Sequence, residues 1–443
     1  MPPLMVATLI FAAFFGAVWS GRVGRQWAAL AGGGAMAVAG ILFGFYSGAM
    51  VADAVYGETL ALIFGMSLIA ASLARGGVFG RIAGTVARMA EGNSRLVLIL
   101  FMLLTYTLSL AVNNLATVVV LLPVALRVCW SSGLNPVPLT IGMVVASNLG
   151  GASTMVGDFP NMIIASVADL TFLDFIGGMM VPCLLLLAAT LLYFERAKGG
   201  FHAHATSAAE RKVRLGAAEE LSEITADERF YTRLGLGALT LALVGFLATD
   251  ATTIRPSVVA LAIGMGVVFL GQWDPRSLFD AVGGGDILFF VGLFVMVGGV
   301  NAAGGLEWLD TLIERAGQGK ASYELALLMW IAGGATILLN AGPSTAFFIP
   351  VATEMSYRIP GDAVWWALSL GVLAGSSAAL TGATAGSVAV SQLERSFRDY
   401  PGFAALVPAG GTLDFKEYLR WGFPLMALFL ALSTPYILLM APN

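Results

Sequence analysis

Apolar runs of bilayer-spanning length recur along this chain, and no other feature limits its fold so tightly. They lie at about 4–20, 27–46, 57–74, 176–194, 234–249, 256–272, 286–303 and 419–440. A span needs roughly 20 mostly apolar residues, and its backbone polar groups must pair within the segment. Two further stretches, 139–167 and 363–391, are long enough to cross but are interrupted by Gly, Pro and polar residues. Another two, 96–129 and 322–357, are apolar with polar residues near their midpoints. With 58% hydrophobic residues and only 11% charged, the 443-residue chain is neither a soluble enzyme, a nucleic-acid binder nor a disordered polymer. The expected class is an all-α polytopic membrane protein. The opening Met1-Pro-Pro-Leu has no positive flank, so the first run reads as a retained span.

The long polar stretch, 195–233, carries seven basic residues (Arg196, Lys198, Arg211, Lys212, Arg214, Arg229 and Arg233) and seven acids. It reads as a cytoplasmic linker between a first membrane half, 1–194, and a second, 234–443, with a short helix expected around Ala217–Tyr231. His202 and His204 lack companion ligands, so no metal site is expected there. Cys129 and Cys183 both fall in apolar stretches, which offers neither a disulfide framework nor a CxxC motif.

The halves repeat. Asn113-Asn-Leu-Ala-Thr and Pro123-Val-Ala find counterparts in Asn340-Ala-Gly-Pro-Ser-Thr and Pro350-Val-Ala, both at an offset of 227. Gly65 falls on Gly292 at the same offset, and Gly157 on Gly382 at 225. If 96–129 and 322–357 are re-entrant hairpins with tips at Asn113 and Asn340, each half has five full spans. An odd number inverts the second half. The positive-inside rule favours this arrangement: of 23 Lys and Arg residues, only Arg255, Arg315, Lys320 and Arg358 fall opposite the linker. Arg75, Arg81, Arg88 and Arg95 recur about every seven residues and predict a cytoplasmic amphipathic helix.

Four polar islands interrupt the apolar pattern. They are Asn113-Asn114, Ser147 to Asn161, Asn340 to Thr345, and Gly375 to Thr384. Non-helical backbone at membrane depth must be buried in protein or line a cavity, and paired broken helices at the midplane are a usual transporter site. The candidate ion-binding residues are Asn113, Asn114, Thr117, Ser147, Asn148, Thr154, Asp158, Asn161, Asn340, Ser344, Ser376, Ser377 and Thr381. Helix N-termini at the breaks suit anions; freed carbonyls and Asn, Ser and Thr oxygens suit Na⁺. Asp158 is the one carboxylate in these islands, either the coupling acid or a cap for the broken helix before Pro160-Asn161. Glu58 and Asp286 open matching spans at the interface, and Glu354 lies near a hairpin end. Gly283-Gly-Gly285 sits in an apolar context that does not suit a phosphate loop. With no Ser/His/Asp set and no HExxH, no enzyme activity is expected, and no cofactor beyond Na⁺ as substrate or coupling ion.

The islands Asn113-Asn-Leu-Ala-Thr-Val-Val-Val-Leu-Leu-Pro-Val and Ala146-Ser-Asn-Leu-Gly-Gly-Ala-Ser-Thr-Met-Val-Gly-Asp-Phe-Pro-Asn resemble the ion transporter superfamily. The nearest branch is that of arsenite permease, the NhaD Na⁺/H⁺ antiporter and the P-protein, which includes citrate-transporter-like domains. The resemblance runs from about 27 to 440, sparing the linker. It implies a homodimer in a membrane, moving a small ion by an elevator-like shift, with scaffold and transport regions. The departures bear on mechanism. The acid usual at the first hairpin tip is replaced by Asn113-Asn114, and the second repeat's Gly-Asn-Gly-Thr by Ser376-Ser-Ala-Ala. The expected function is cation/proton exchange or proton transport. The alternatives are an anion carrier of arsenite or carboxylate type, and a degenerate member with a structural role in a specialised membrane. The expected location is a bacterial inner membrane or an organelle membrane derived from it.

Overall fold

The computed structural model describes residues 2–90, 93–196, 225–249, 252, 254–274, 278–279, 283–400, 402–407 and 413–442. In the first half the helices are α1 (Pro3–Ser20), α2 (Arg25–Phe43), α3 (Gly48–Asp53), α4 (Gly57–Arg75) and α5 (Val78–Ala90). They continue with α6 (Ser94–Ser109), α7 (Asn114–Ser132), α8 (Pro136–Ala152), α9 (Phe159–Ala168) and α10 (Phe172–Arg196). The second half begins with α11 (Ala226–Thr249), α12 (Pro256–Leu270), α13 (Gly284–Ala302), α14 (Gly305–Gly317) and α15 (Ala321–Leu339). It ends with α16 (Ala341–Arg358), α17 (Ala363–Ala378), α18 (Gly386–Asp399) and α19 (Phe415–Met440). Among the described residues, nine helical stretches are long and apolar enough to cross a membrane. The α12 helix, at 15 residues, spans only about 22 Å.

Element boundaries reproduce the sequence repeat. Adding 227 to α5 gives the bounds of α14, and adding it to the starts of α6, α7, α8 and α9 gives those of α15, α16, α17 and α18. The first hairpin segment breaks between Ser109 and Asn114, the second at Asn340 alone. The expected linker helix near 217–231 is described only from residue 225. Residues 226–231 are the first turns of the long α11, started by a capping box in which Thr225 and Glu228 exchange side-chain-to-backbone bonds of 3.0 and 3.1 Å. Residues 217–224 and the His202/His204 pair lie outside the described residues.

The halves interlock. Helix α2 packs on α13 of the other half, and α12 packs on α4. Both crossings depend on glycine: a Cβ at Gly292 would come 2.3 Å from the Ala29 backbone, and one at Gly65 2.3 Å from that of Ala260. Backbone-to-backbone approach of this kind is how helices associate in lipid, where the hydrophobic effect gives no preference for protein over acyl chain. Deeper inside, every residue of α8 and of α17 is buried. Largely apolar, these two helices form the centre against which both hairpins pack, α8 against α6 and α7, α17 against α15 and α16.

Ion pairs between distant segments follow the charge count. Arg25 pairs with Asp286, Arg95 with Glu195 and Arg255 with Glu58. Arg358 holds Asp310 through two bonds of 2.8 and 2.9 Å and reaches buried Glu324 at 3.5 Å. Each pair joins groups assigned to the same face by the positive-inside count. Met89 on α5 and Ala316 on α14 are exposed and repeat-related. Cysteines placed there in an inverted repeat react with an impermeant thiol reagent from opposite faces of the membrane; reaction of both from one face excludes inversion.

Candidate functional site

Each helix break leaves backbone groups without intrahelical partners, and the hairpin tips supply them. At the first tip the Asn114 N–H donates to the Gly157 carbonyl at 3.1 Å; at the second the Ala341 N–H donates to the Gly382 carbonyl at 3.1 Å. Side chains repeat the device: Thr154 Oγ1 donates to the Leu110 carbonyl at 2.6 Å, and Thr381 Oγ1 to that of Ile337 at 2.7 Å. Glycine is required at the loops. A Cβ on Gly157 would lie 2.4 Å from the Ser109 carbonyl oxygen, and one on Gly382 would lie 2.7 Å from that of Gly375. Tip and broken helix are therefore fastened as one unit in each half, backbone to backbone.

Polar side chains then join the halves. Asn114, wholly buried, donates through Nδ2 to Asn148 Oδ1 at 3.1 Å, and Asn148 Nδ2 donates to the Ser376 carbonyl at 3.3 Å. Asn161 closes the first loop by donating to the carbonyls of Ala152 at 2.9 Å and Thr154 at 2.8 Å, while its Oδ1 accepts from Ser369 Oγ at 2.9 Å. Of the expected residues, Asn114, Asn148, Asp158 and Asn161 form the buried centre of the first half, with Ser376 contributing its carbonyl. Asn113 caps α7 by accepting the Ala116 N–H at 2.8 Å. The hydroxyls of Thr117, Ser147, Ser376 and Ser377 turn back on nearby carbonyls of their own segments. Ser344 sits 2.7 Å from the Thr336 hydroxyl, and Thr381 is exposed.

Asp158 caps the broken helix. It is 5% exposed, caps α9 by accepting the Phe159 N–H on Oδ1 at 2.8 Å, and lies within hydrogen-bonding reach of the Asn114 amide. The Asn114 Oδ1 atom is buried with no partner. An orphaned buried acceptor costs about 1–3 kcal/mol unless a proton donor or a cation meets it. A buried carboxyl beside an amide whose own oxygen lacks a partner is suited to a proton or a small cation.

Asn340 differs from its repeat partner. Asn113 has an ordinary extended backbone, φ −55° and ψ 146°, whereas Asn340 sits at φ 73° and ψ 157°, a region used almost wholly by glycine. A one-residue turn between α15 and α16 forces this, and the Asn340 Nδ2 bond to the Thr381 carbonyl at 3.0 Å helps to hold it. Tyr106, whose hydroxyl lies 2.9 Å from Ser153 Oγ, and Ser369 were not foreseen as site residues. Ser109, whose hydroxyl donates to the Ser147 carbonyl at 2.8 Å, and Thr336 beside Ser344 were discoverable, since the two lie at the repeat offset. Glu354 is exposed and lines a separate cavity with Asn301 and Glu307. Among the described residues, no cluster of three or more His, Cys, Asp or Glu could hold a metal ion.

Comparison with known proteins places these features in company. A family model described as citrate transporter matches residues 4–371. Magnetosome protein MamN of Magnetospirillum gryphiswaldense is 43% identical over 438 residues, covering 98% of this chain and 99% of that protein. The human P protein is 25% identical over 516 aligned positions, covering 98% of this chain and 59% of the relative. Among solved structures, the YdaH transporter of Alcanivorax borkumensis shares the fold with TM-score 0.54 at 15% identity, over 86% of this chain and 84% of that one.

The strained tip gives a stability test. Asn340→Gly relieves the backbone but loses one hydrogen bond, so its thermal unfolding in detergent stays within about 1 kcal/mol of the parent. Asn340→Val keeps the strain, adds a β-branch and loses the bond, and is expected to destabilise by roughly 2–4 kcal/mol. Equal unfolding of the two variants would show that the backbone conformation is unimportant.

Proposed function

We propose, from the premise that this chain belongs to the citrate transporter family, that it is a secondary ion carrier coupling movement of a small cation to protons at Asp158. The chain is a multi-pass membrane transporter; the coupling is our reading. The observation that carries it is a buried Asp158 carboxyl within reach of the Asn114 amide, whose own Oδ1 is buried without a partner. A protonated Asp158 needs an acceptor, and an ionised one needs a counter-charge; Na⁺ would take the carboxylate and amide oxygens together. No Lys or Arg falls within the four islands, so no fixed positive charge offers itself.

The two halves supply the means of movement. Each hairpin tip is fastened to its own broken helix, and the interlocked α2–α13 and α4–α12 pairs pack against this set along α4–α9, α4–α7 and α13–α16. An elevator-like shift of the first set against the second carries the site across without exposing broken backbone to lipid. A homodimer and inverted orientation of the halves belong to the same proposal. The likeness to MamN favours a specialised bacterial membrane as its location.

A second reading, transport of a carboxylate anion, is favoured by the family description and by helix N-termini at both tips. Proteoliposomes separate the two. With a pH dye inside and Na⁺ or Li⁺ added outside, a cation exchanger gives a cation-dependent pH change, and Asp158→Asn reduces it by about tenfold or more. Cation-independent citrate or arsenite uptake that survives Asp158→Asn would establish the anion reading instead. Silence with both classes in a folded, reconstituted protein would leave a structural role.

A further inference from the structure

The Asn340 tip is half-buried. It lines a small cavity with Thr384 of the second broken loop, Phe159 beside Asp158, and Gly342 and Pro343 at the start of α16. The opposite wall comes from the interlocked pair: Arg25 in the first turn of α2, and Asp286, Phe289 and Phe290 on α13. Phe159 packs edge-on against Phe290, with centroids 5.5 Å apart. Two polar groups in the lining are open to a ligand. The Thr384 hydroxyl is buried with no partner, the residue being 8% exposed. Asn340 uses its Nδ2 on Thr381, leaving Oδ1 free.

The charged pair completes the wall. The Arg25 guanidinium lies on the Asp286 carboxylate and over the Phe289 ring at 5.6 Å. Their settings are unequal. Asp286 stands in the first turn of α13, where the helix dipole favours an anion, and its side chain is 16% exposed. Arg25 stands in the first turn of α2, where the dipole disfavours a cation, and 44% of its side chain is in solvent. The acid is fixed and the base is free to swing away. The repeat holds a second such pair, Arg255 at the start of α12 with Glu58 in the first turn of α4.

We propose that this cavity is a transit site for one small monovalent cation, held by Asp286, Asn340 Oδ1 and Thr384 Oγ1, and that Arg25 is its built-in competitor. The guanidinium neutralises Asp286 when the site is empty and gives way when a cation arrives from the aqueous face. It thereby keeps a bare carboxylate from trapping the ion, which must be bound weakly enough to move on towards Asp158. This inference rests on the cation reading of the transport site but concerns different residues.

Opposite signs make the test. Reconstituted protein is assayed for the half-saturating concentration of Na⁺ in flux, and detergent-solubilised protein for Na⁺-dependent thermal stabilisation. Arg25→Gln removes the competitor and is expected to lower half-saturation by about fivefold, the worth of one screened charge contact. Asp286→Asn is expected to raise it by a similar factor, and the double variant to behave as Asp286→Asn alone. Thr384→Ala breaks no existing bond, so the fold is retained while half-saturation rises. If the pair were only a structural clamp, Arg25→Gln and Asp286→Asn would act in the same direction and Thr384→Ala would be silent; that result overturns the proposal. Absence of Na⁺-dependent flux and stabilisation in the parent protein would instead refute the cation reading itself.

Discussion

An unpaired peptide group has no place in hydrocarbon, and this structure is organised around four points where the helix stops at membrane depth. Each break frees N–H and C=O groups that lipid cannot satisfy at a cost below several kcal/mol. The solution is reciprocal: the tip of each hairpin gives its first free N–H to the carbonyl of a broken-helix loop, once at Asn114 and once at Ala341. Glycine at 157 and 382 follows from that choice, because the strands of backbone come too close for any Cβ. So does the complete burial of α8 and α17, which carry the breaks into the interior.

Once the breaks are protected, their polar side chains become available for something else. Asn148 and Asn161 spend themselves on joining the halves, through the Ser376 carbonyl and the Ser369 hydroxyl. Asn114 is left half satisfied beside Asp158. That shortfall differs from the ordinary polar interior of a membrane bundle, where small residues and hydroxyls turn back on their own helix as Ser147 and Ser377 do. Capping and ion binding are not rivals for Asp158. A carboxyl has two oxygens, and only one is taken by the Phe159 N–H.

Much of the architecture could be read from the chain, because in lipid a polar interruption must have a structural reason. The spans, the breaks and the 227-residue repeat all showed as interruptions of apolar runs. Less was legible where the partner is a carbonyl, a group every residue owns: nothing in the sequence ties Asn148 to residue 376 across 228 positions. The tight tip at Asn340 was also hidden, since its φ is set by the single-residue turn and not by Asn itself. Helix α14 has mixed charge where its counterpart α5 has a regular arginine period, so only the second announced itself. The described end of the expected linker helix, 226–231, belongs to a long span that a capping box at Thr225 starts.

The Arg358–Asp310–Glu324 cluster has no equivalent in the first half, where the corresponding positions are Ser131, Ala83 and Val97. In a carrier that works by exchanging the conformations of its halves, identical repeats would occupy the two end states equally. A three-residue ionic cluster on the second hairpin, where the first has Arg95 on Glu195, removes that degeneracy. A difference of about 1.4 kcal/mol already means a tenfold excess of one state. Under the proposed exchange, the resting protein would wait on one side of the membrane, and ionic strength at the face that holds the cluster would set how firmly it waits there.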